Sequence, residues 1–274
     1  MIDMVLRNAT IFLLVAARAF AMIMTLPLFS SQSVSRYAKL ALAGYMAYFI
    51  TPQISLASGP FAQYAPHLLT NGLFTAEYVL LVLGEGLLGV VIGFYIQIIF
   101  AAFSTAGQFF AFQMGFSAAE AYDSLNQVEN PLMGQYLNLI AMLIFMQNHW
   151  FQTLFINGFL RSFDTLSAFS VAEHTDALLK FMLLSLSRLF FNALVIALPV
   201  MGTLFLINVT VGVLAKAAPQ MNLLSEGFPI LMLTSFFVIT QLMPYLCEFF
   251  VRTFHSAFRQ MQFFLAGMGQ GALP

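Results

Sequence analysis

Apolar residues run along the chain in six long blocks, about 9 to 29, 38 to 57, 71 to 112, 132 to 160, 177 to 214 and 226 to 250. None of them alternates with a period of two, as the strands of a membrane barrel would, so the pattern predicts an all-α fold. The breaks carry turn chemistry: Pro27 with Ser30, Ser31 and Ser33 closes the first block, and Thr51-Pro52 with Ser58-Gly59-Pro60 closes the second. No Asp, Glu, Lys or Arg occurs between Lys39 and Glu77, Glu85 and Glu120, Arg188 and Lys216, or Glu226 and Glu248. Each gap holds a run of about 20 apolar residues, the length that crosses a hydrocarbon core of about 30 Å. A multi-helix membrane protein is the expected architecture.

The third and fifth blocks are too long for one simple crossing, since about 40 helical residues would reach roughly 60 Å. They are expected to bend or to leave the bilayer, and Pro199 and Pro244 each remove a backbone donor and favour a kink. In the third block Gly89, Gly93, Gln97, Ala101, Ser104, Gly107 and Gln108 fall within an arc of roughly 120°, a face suited to protein or to a conduit rather than to lipid. Gly89 and Gly93 form a GxxxG pair that would let another helix approach closely, so Gly89, Gly93 and Gln97 are assigned to helix packing. The fifth block repeats the theme with Ser185, Arg188, Asn192, Pro199 and Thr203. Arg18 and Glu85 lie inside apolar blocks, where a charge costs about 2.5 to 3.5 kcal/mol, and each needs a partner or a wet face.

Between Ala106 and Val128 the blocks are interrupted by Gly107, Gly115, Glu120, Asp123 and Asn126, yet Phe109, Phe110, Phe112, Met114 and Phe116 remain. A loop this apolar is expected to be tucked against something, either its own helices or an opening that it closes. From Phe249 to Phe264 the pattern is amphipathic, with Arg252, His255, Arg259 and Gln262 on one face and Phe250, Phe254, Phe258 and Met261 on another. A membrane surface or a partner protein would suit such a helix.

Composition sharpens this picture. Of 274 residues 61% are hydrophobic and 8% charged, and the formal net charge is −1. Ten scattered basic residues supply no patch for phosphate binding, which excludes nucleic acid as a partner. The lone Cys247 has no disulfide partner and reads as an apolar filler. His67, His149, His174 and His255 lie far apart without metal-ligand spacing, and no Walker or nucleophile-elbow pattern occurs, so neither catalysis, a metal nor a cofactor is expected. Ala19-Phe20-Ala21 fits a signal-cleavage pattern, but Asp3 in the leader and apolar sequence through Leu26 predict an uncleaved first helix.

Three stretches carry a resemblance: GQFFAFQMGFSAA at 107 to 119, continuing to Asp123 and NPLMGQYLNLIAMLIFMQNHW at 130 to 150; ALPVMGTLFLINVTVGVLAKAAPQMN at 197 to 222; and GFP at 227 to 229. In combination they resemble the FliR family of the bacterial flagellar type III export gate, called SctT in virulence injectisomes. Most of the chain from Glu85 onward is covered, and the first 80 residues match only in hydropathy. The resemblance implies a non-enzymatic core subunit in the inner membrane at the flagellar basal body. There it would assemble with FliP and FliQ into a helical channel, contact FlhB, and pass unfolded flagellar polypeptides. It also implies kinked helical hairpins: a FliP-like part over 1–176 with a plug loop at about 106–128, a FliQ-like hairpin over 177–250, and an amphipathic tail over 251–274. Gln108, Phe110, Gln113, Met114, Gly115 and Phe116 match the plug that closes the resting pore. Lys216, Pro219, Gln220 and Asn222 match the hairpin tip that meets partner subunits. Asp123 is followed by Ser124 where many relatives carry Pro, and GFP favours the flagellar branch.

Two alternatives remain open on the residues alone. A secondary transporter would use Glu85 as an ion-coupling carboxylate and would need an internal repeat, which the Glu85 and Pro199 neighbourhoods do not display. A passive assembly factor would have no role in closing a pore.

Overall fold

A computed structural model describes residues 8–30, 34–54, 59–66, 75–114, 132–217 and 227–269. Among them the elements are α1 (Ala9–Thr25), α2 (Pro27–Ser30), α3 (Arg36–Ile50), 3-10 turns at Thr51–Gln53 and Pro60–Tyr64, α4 (Ala76–Met114) and α5 (Leu132–Gln147). There follow α6 (Trp150–Thr153), a π-helical turn (Leu154–Leu160), α7 (Arg161–Thr165), α8 (Ala168–Glu173), α9 (Thr175–Ala217) and α10 (Phe228–Gly269). No strand occurs among the described residues, and the protein is an all-α membrane protein. Three of its helices, Ala76–Met114, Thr175–Leu214 and Pro229–Gly267, are long and apolar enough to cross a bilayer.

Local chemistry explains the boundaries. Ser35 starts α3 by accepting the Ala38 N–H at 3.2 Å, and Pro52 sits in the turn that ends it. Gly59 adopts φ 85° on the way into Pro60–Tyr64, a conformation that costs glycine little. His149 takes the left-handed conformation at φ 54°, and the Asn148 amide donates to the Ile144 carbonyl at 2.8 Å, so the expected fourth block is split at 148–149. The second block likewise stops as α-helix at Ile50 rather than running to 57.

Three expectations need correction. The segment from Ala106 is not a loop at its start: α4 continues to Met114, because Phe103, Ala106, Phe110 and Met114 recur at helical spacing and are all fully buried. Pro199 and Pro244 interrupt neither α9 nor α10, which run 43 and 42 residues as continuous helices. The residues from 251 to 269 continue α10 without a break, so the boundary placed after 250 falls within a helix. At about 1.5 Å per residue, helices of this length extend well past a hydrocarbon core of about 30 Å.

Hydroxyl groups in these apolar helices are satisfied locally. Ser185, Thr203, Thr210, Thr234 and Thr240 each donate to the carbonyl four residues earlier, at 2.7 to 2.8 Å. Half of the polar stripe expected on α9 therefore needs no outside partner.

The chain divides into two compact units. One comprises Met1–Ile98, His149–Ser185 and His255–Pro274, and the other Ile99–Asn148 and Leu186–Phe254. In the first, α1 packs on α3 through Leu14, Val15, Ala19, Met22 and Ile23, and Phe181 stacks on Phe264 with centroids 4.0 Å apart. Tyr95 closes the same core, its ring 4.9 Å from Phe181 and its hydroxyl donating to the Ala257 carbonyl at 3.0 Å. In the second, Phe100, Phe103, Phe145, Phe250 and Phe254 form a ring cluster with centroids 4.1 to 5.7 Å apart.

Candidate functional site

Two sites follow from the residues singled out by sequence, one in each unit. The first is a charge cluster built around Arg18 and Glu85, both fully buried. Helix α1 is apolar on every side except at Arg18, and α4 is apolar from Val79 to Ile96 except at Glu85 and Gln97, so each charge meets a face with no water. They satisfy each other. The Arg18 Nε–H donates to Glu85 Oε2 at 2.6 Å, and the other guanidinium nitrogens donate to Ser162 Oγ and to the Leu166 carbonyl, both at 3.0 Å. Its planar cation also lies 4.2 Å from the Phe163 ring centroid. Sequence analysis required a partner for each charge but did not pair them.

Tyr64 and Ser162 complete the cluster. Tyr64 donates its hydroxyl proton to Glu85 Oε1 at 2.5 Å and accepts the backbone N–H of Ala168. Burial first, and then the negative charge of Glu85, push the Tyr64 phenol well above its ordinary value, which keeps the hydroxyl protonated as a donor. Ser162 passes its own proton to the Phe159 carbonyl at 2.6 Å, at the end of the π-helical turn. The chain pays the desolvation of two charges by committing both carboxylate oxygens and three guanidinium nitrogens to protein groups. Neither Tyr64 nor Ser162 was singled out from sequence, because a tyrosine between two apolar blocks and a serine after a third carry no spacing that joins them to Glu85.

Glycines let the backbones close to this distance. An added Cβ at Gly89 would lie 2.2 Å from the Arg18 carbonyl oxygen, and one at Gly93 would lie 2.7 Å from the Met22 carbonyl oxygen. The GxxxG pair thus packs on α1, as its spacing predicts. Gln97, assigned to the same packing, is exposed. Gly84 meets Ala168 in the same way, with an added Cβ 2.6 Å from the Ala168 Cβ.

The second site is the approach to the plug. Phe110 and Met114 are fully buried in the second unit, Gln113 is half-buried and Gln108 exposed. Gly107 sets the crossing of α4 with α5: an added Cβ would lie 2.4 Å from the Met133 carbonyl oxygen and 2.6 Å from the Gly134 Cα. Residues 115–131 are thereby bracketed by two helices pinned together close to their ends. Gly115 and Phe116 lie outside the described residues, as do Pro219, Gln220 and Asn222, whereas Lys216 stands exposed on the last turn of α9.

Helices of this length and apolarity, with a core polar network that buries its charges against each other, define an integral membrane protein whose long spans leave much of their surface uncovered by its own chain. In α9 and α10 only 22% of the best spanning window is buried within the chain. The family model described as bacterial export proteins, family 1, matches residues 9–257, and the chain belongs to that family. It is 28% identical over 244 residues to the flagellar biosynthetic protein FliR of Escherichia coli (strain K12), covering 88% of this chain and 87% of the relative. The FliR of Bacillus subtilis (strain 168) is 28% identical over 260 residues, 94% of this chain and 95% of the relative. The surface presentation of antigens protein SpaR of Shigella sonnei is 26% identical over 182 residues, 66% of this chain and 65% of the relative.

Proposed function

We propose that this chain is a core subunit of a flagellar type III protein export gate in the bacterial inner membrane. With FliP and FliQ it forms the channel through which unfolded flagellar polypeptides leave the cell, and FlhB docks at the hairpin tip around Lys216, Pro219, Gln220 and Asn222. Residues 1–176 supply the FliP-like part and 177–250 the FliQ-like hairpin. The loop beginning near Gln113 and Met114 and continuing through Gly115 and Phe116 closes the resting pore, since large apolar side chains exclude water and ions yet make few directional bonds.

The observation that carries this reading is the match of the export-protein family along residues 9–257, joined by FliR relatives that cover most of the chain. It is supported by the apolar surface of α9 and α10, which sibling subunits would cover. The commitment of both Glu85 oxygens to Arg18 and Tyr64 favours a gate over a transporter that would need that carboxylate to bind its ion. The test is expression with FliP and FliQ, purification of the complex, and reconstitution in vesicles with wild-type chain or with Phe116→Gly. A gate predicts a mixed complex that holds an ion gradient as wild type and leaks with the variant. Purification as a lone homomer, or a variant complex as tight as wild type, would overturn it.

A further inference from the structure

Helix α9 packs in the second unit through Leu189, Ala193, Ile196, Ala197, Val200 and Leu204, which form one buried stripe. Arg188 lies on the far side of the helix, exposed, about 20 Å from its Thr175 end and therefore deep within an apolar span. Phe191, Leu198 and Leu206 are exposed on the same side at 67%, 60% and 66%. Among the described residues Arg188 has no acceptor: the ion pairs there are Arg18 with Glu85 and Arg252 with Glu248. Two further polar groups share this face. The Asn192 side chain, one turn on, makes no hydrogen bond within the described residues, and Pro199 supplies no N–H to the Val195 carbonyl.

An arginine at this depth cannot be left to hydrocarbon, and apolar side chains border it along the helix in both directions, so neither a headgroup layer nor a water-filled wall fits its surroundings. Arg18 displays how this chain handles the same problem internally, with a carboxylate at 2.6 Å. We propose that the Arg188 face of α9 is an intramembrane docking surface for an apolar helix of a sibling subunit that carries an aspartate or glutamate opposite Arg188. The planar guanidinium suits two parallel hydrogen bonds to such a carboxylate. Asn192 sits one turn away to satisfy a second polar group on the same helix, and Gly202, with open space where a Cβ would be, lets that helix approach closely.

The proposal rests on the export-gate reading in taking its partner from the mixed complex, and one experiment separates the two. The chain is co-expressed with FliP and FliQ as wild type, Arg188→Leu and Arg188→Lys, and recovered complex is compared with free chain. Arg188 is exposed on the isolated chain, so the leucine variant should match wild type in expression and in thermal midpoint when purified alone. Its recovery in the complex should fall at least about tenfold, with the lysine variant between, because a buried carboxylate would be left unpaired. In the wild-type complex a photo-crosslinker placed at Phe191 should capture a partner subunit at a segment containing Asp or Glu. Reversing that acid to Arg should restore the complex with Arg188→Glu. Full recovery of the leucine complex, or crosslinking to lipid alone, overturns the docking surface and leaves the gate intact. Failure of the wild-type chain to enter any mixed complex overturns both. Modification of Arg188→Cys by a charged, membrane-impermeant thiol reagent in the assembled complex would place the face in water and overturn it as well.

Discussion

The α-carbon of Gly89 faces the carbonyl oxygen of Arg18 so closely that a single added carbon would sit 2.2 Å from it. Gly89 is one turn beyond Glu85 on α4, so this bare stretch of helix is what lets the guanidinium of Arg18 reach the carboxylate. Gly89→Ala should push α1 off α4, since the obstacle is backbone rather than a movable side-chain tip. Overpacking of this kind costs about 1–3 kcal/mol, and the loss of the ion pair would add to it. A thermal midpoint in detergent equal to wild type would show that the helices have room to spare.

The charge pair itself can be separated from its helices by a double-mutant cycle. Arg18→Leu or Glu85→Leu alone strands a buried charge and should cost about 3–5 kcal/mol. The combined variant Arg18→Leu with Glu85→Leu should recover most of that loss, because neither charge then needs a partner. The measurement is unfolding of the purified chain in detergent for all four combinations. Additive losses would mean that the two residues do not act as a pair.

Tyr64→Phe removes a donor to Glu85 and the acceptor of the Ala168 N–H at once, with an expected cost of about 1–3 kcal/mol. Its pH signature is more specific. Unfolded, the phenol ionises near pH 10; folded, it holds its proton to higher pH because burial and Glu85 disfavour the phenolate. The folded state thus binds the extra proton above pH 10, and stability falls as pH rises through that point. Wild type should therefore lose stability more steeply than Tyr64→Phe above about pH 10, and parallel curves would refute the burial of this hydroxyl against Glu85.

Gly107 offers a probe of the plug region that leaves the loop's own residues untouched. Gly107→Val would drive side-chain atoms into the Met133 carbonyl and the Gly134 backbone, parting α4 from α5 near the ends that bracket residues 115–131. On the gate reading, vesicles bearing the variant complex should leak ions while the amount of assembled complex falls only modestly. A complex that assembles normally and stays tight would show that the crossing does not hold the loop in place.

Much of the fold was determined by the sequence alone: six apolar blocks, their turn-forming breaks and the absence of alternation require long helices in a membrane, because each is a local property of the chain. The GxxxG pair at Gly89 and Gly93 announced a close helix approach for the same reason. Tertiary structure decided which helix came close, and it chose α1. It also decided that Arg18 answers Glu85, that Tyr64 and Ser162 join them, and that Phe110 and Met114 begin the plug region inside a core rather than on a loop. Pro199 and Pro244 show the limit from the other side, since a proline's local preference for a kink does not prevent a long helix from continuing through it. Pairing of distant side chains is set by how helices cross, and hydrophobic pattern is nearly blind to that. Arg18 could have been matched to any acid at the right depth; only the packing of α1 on α4 brings Glu85 within 2.6 Å.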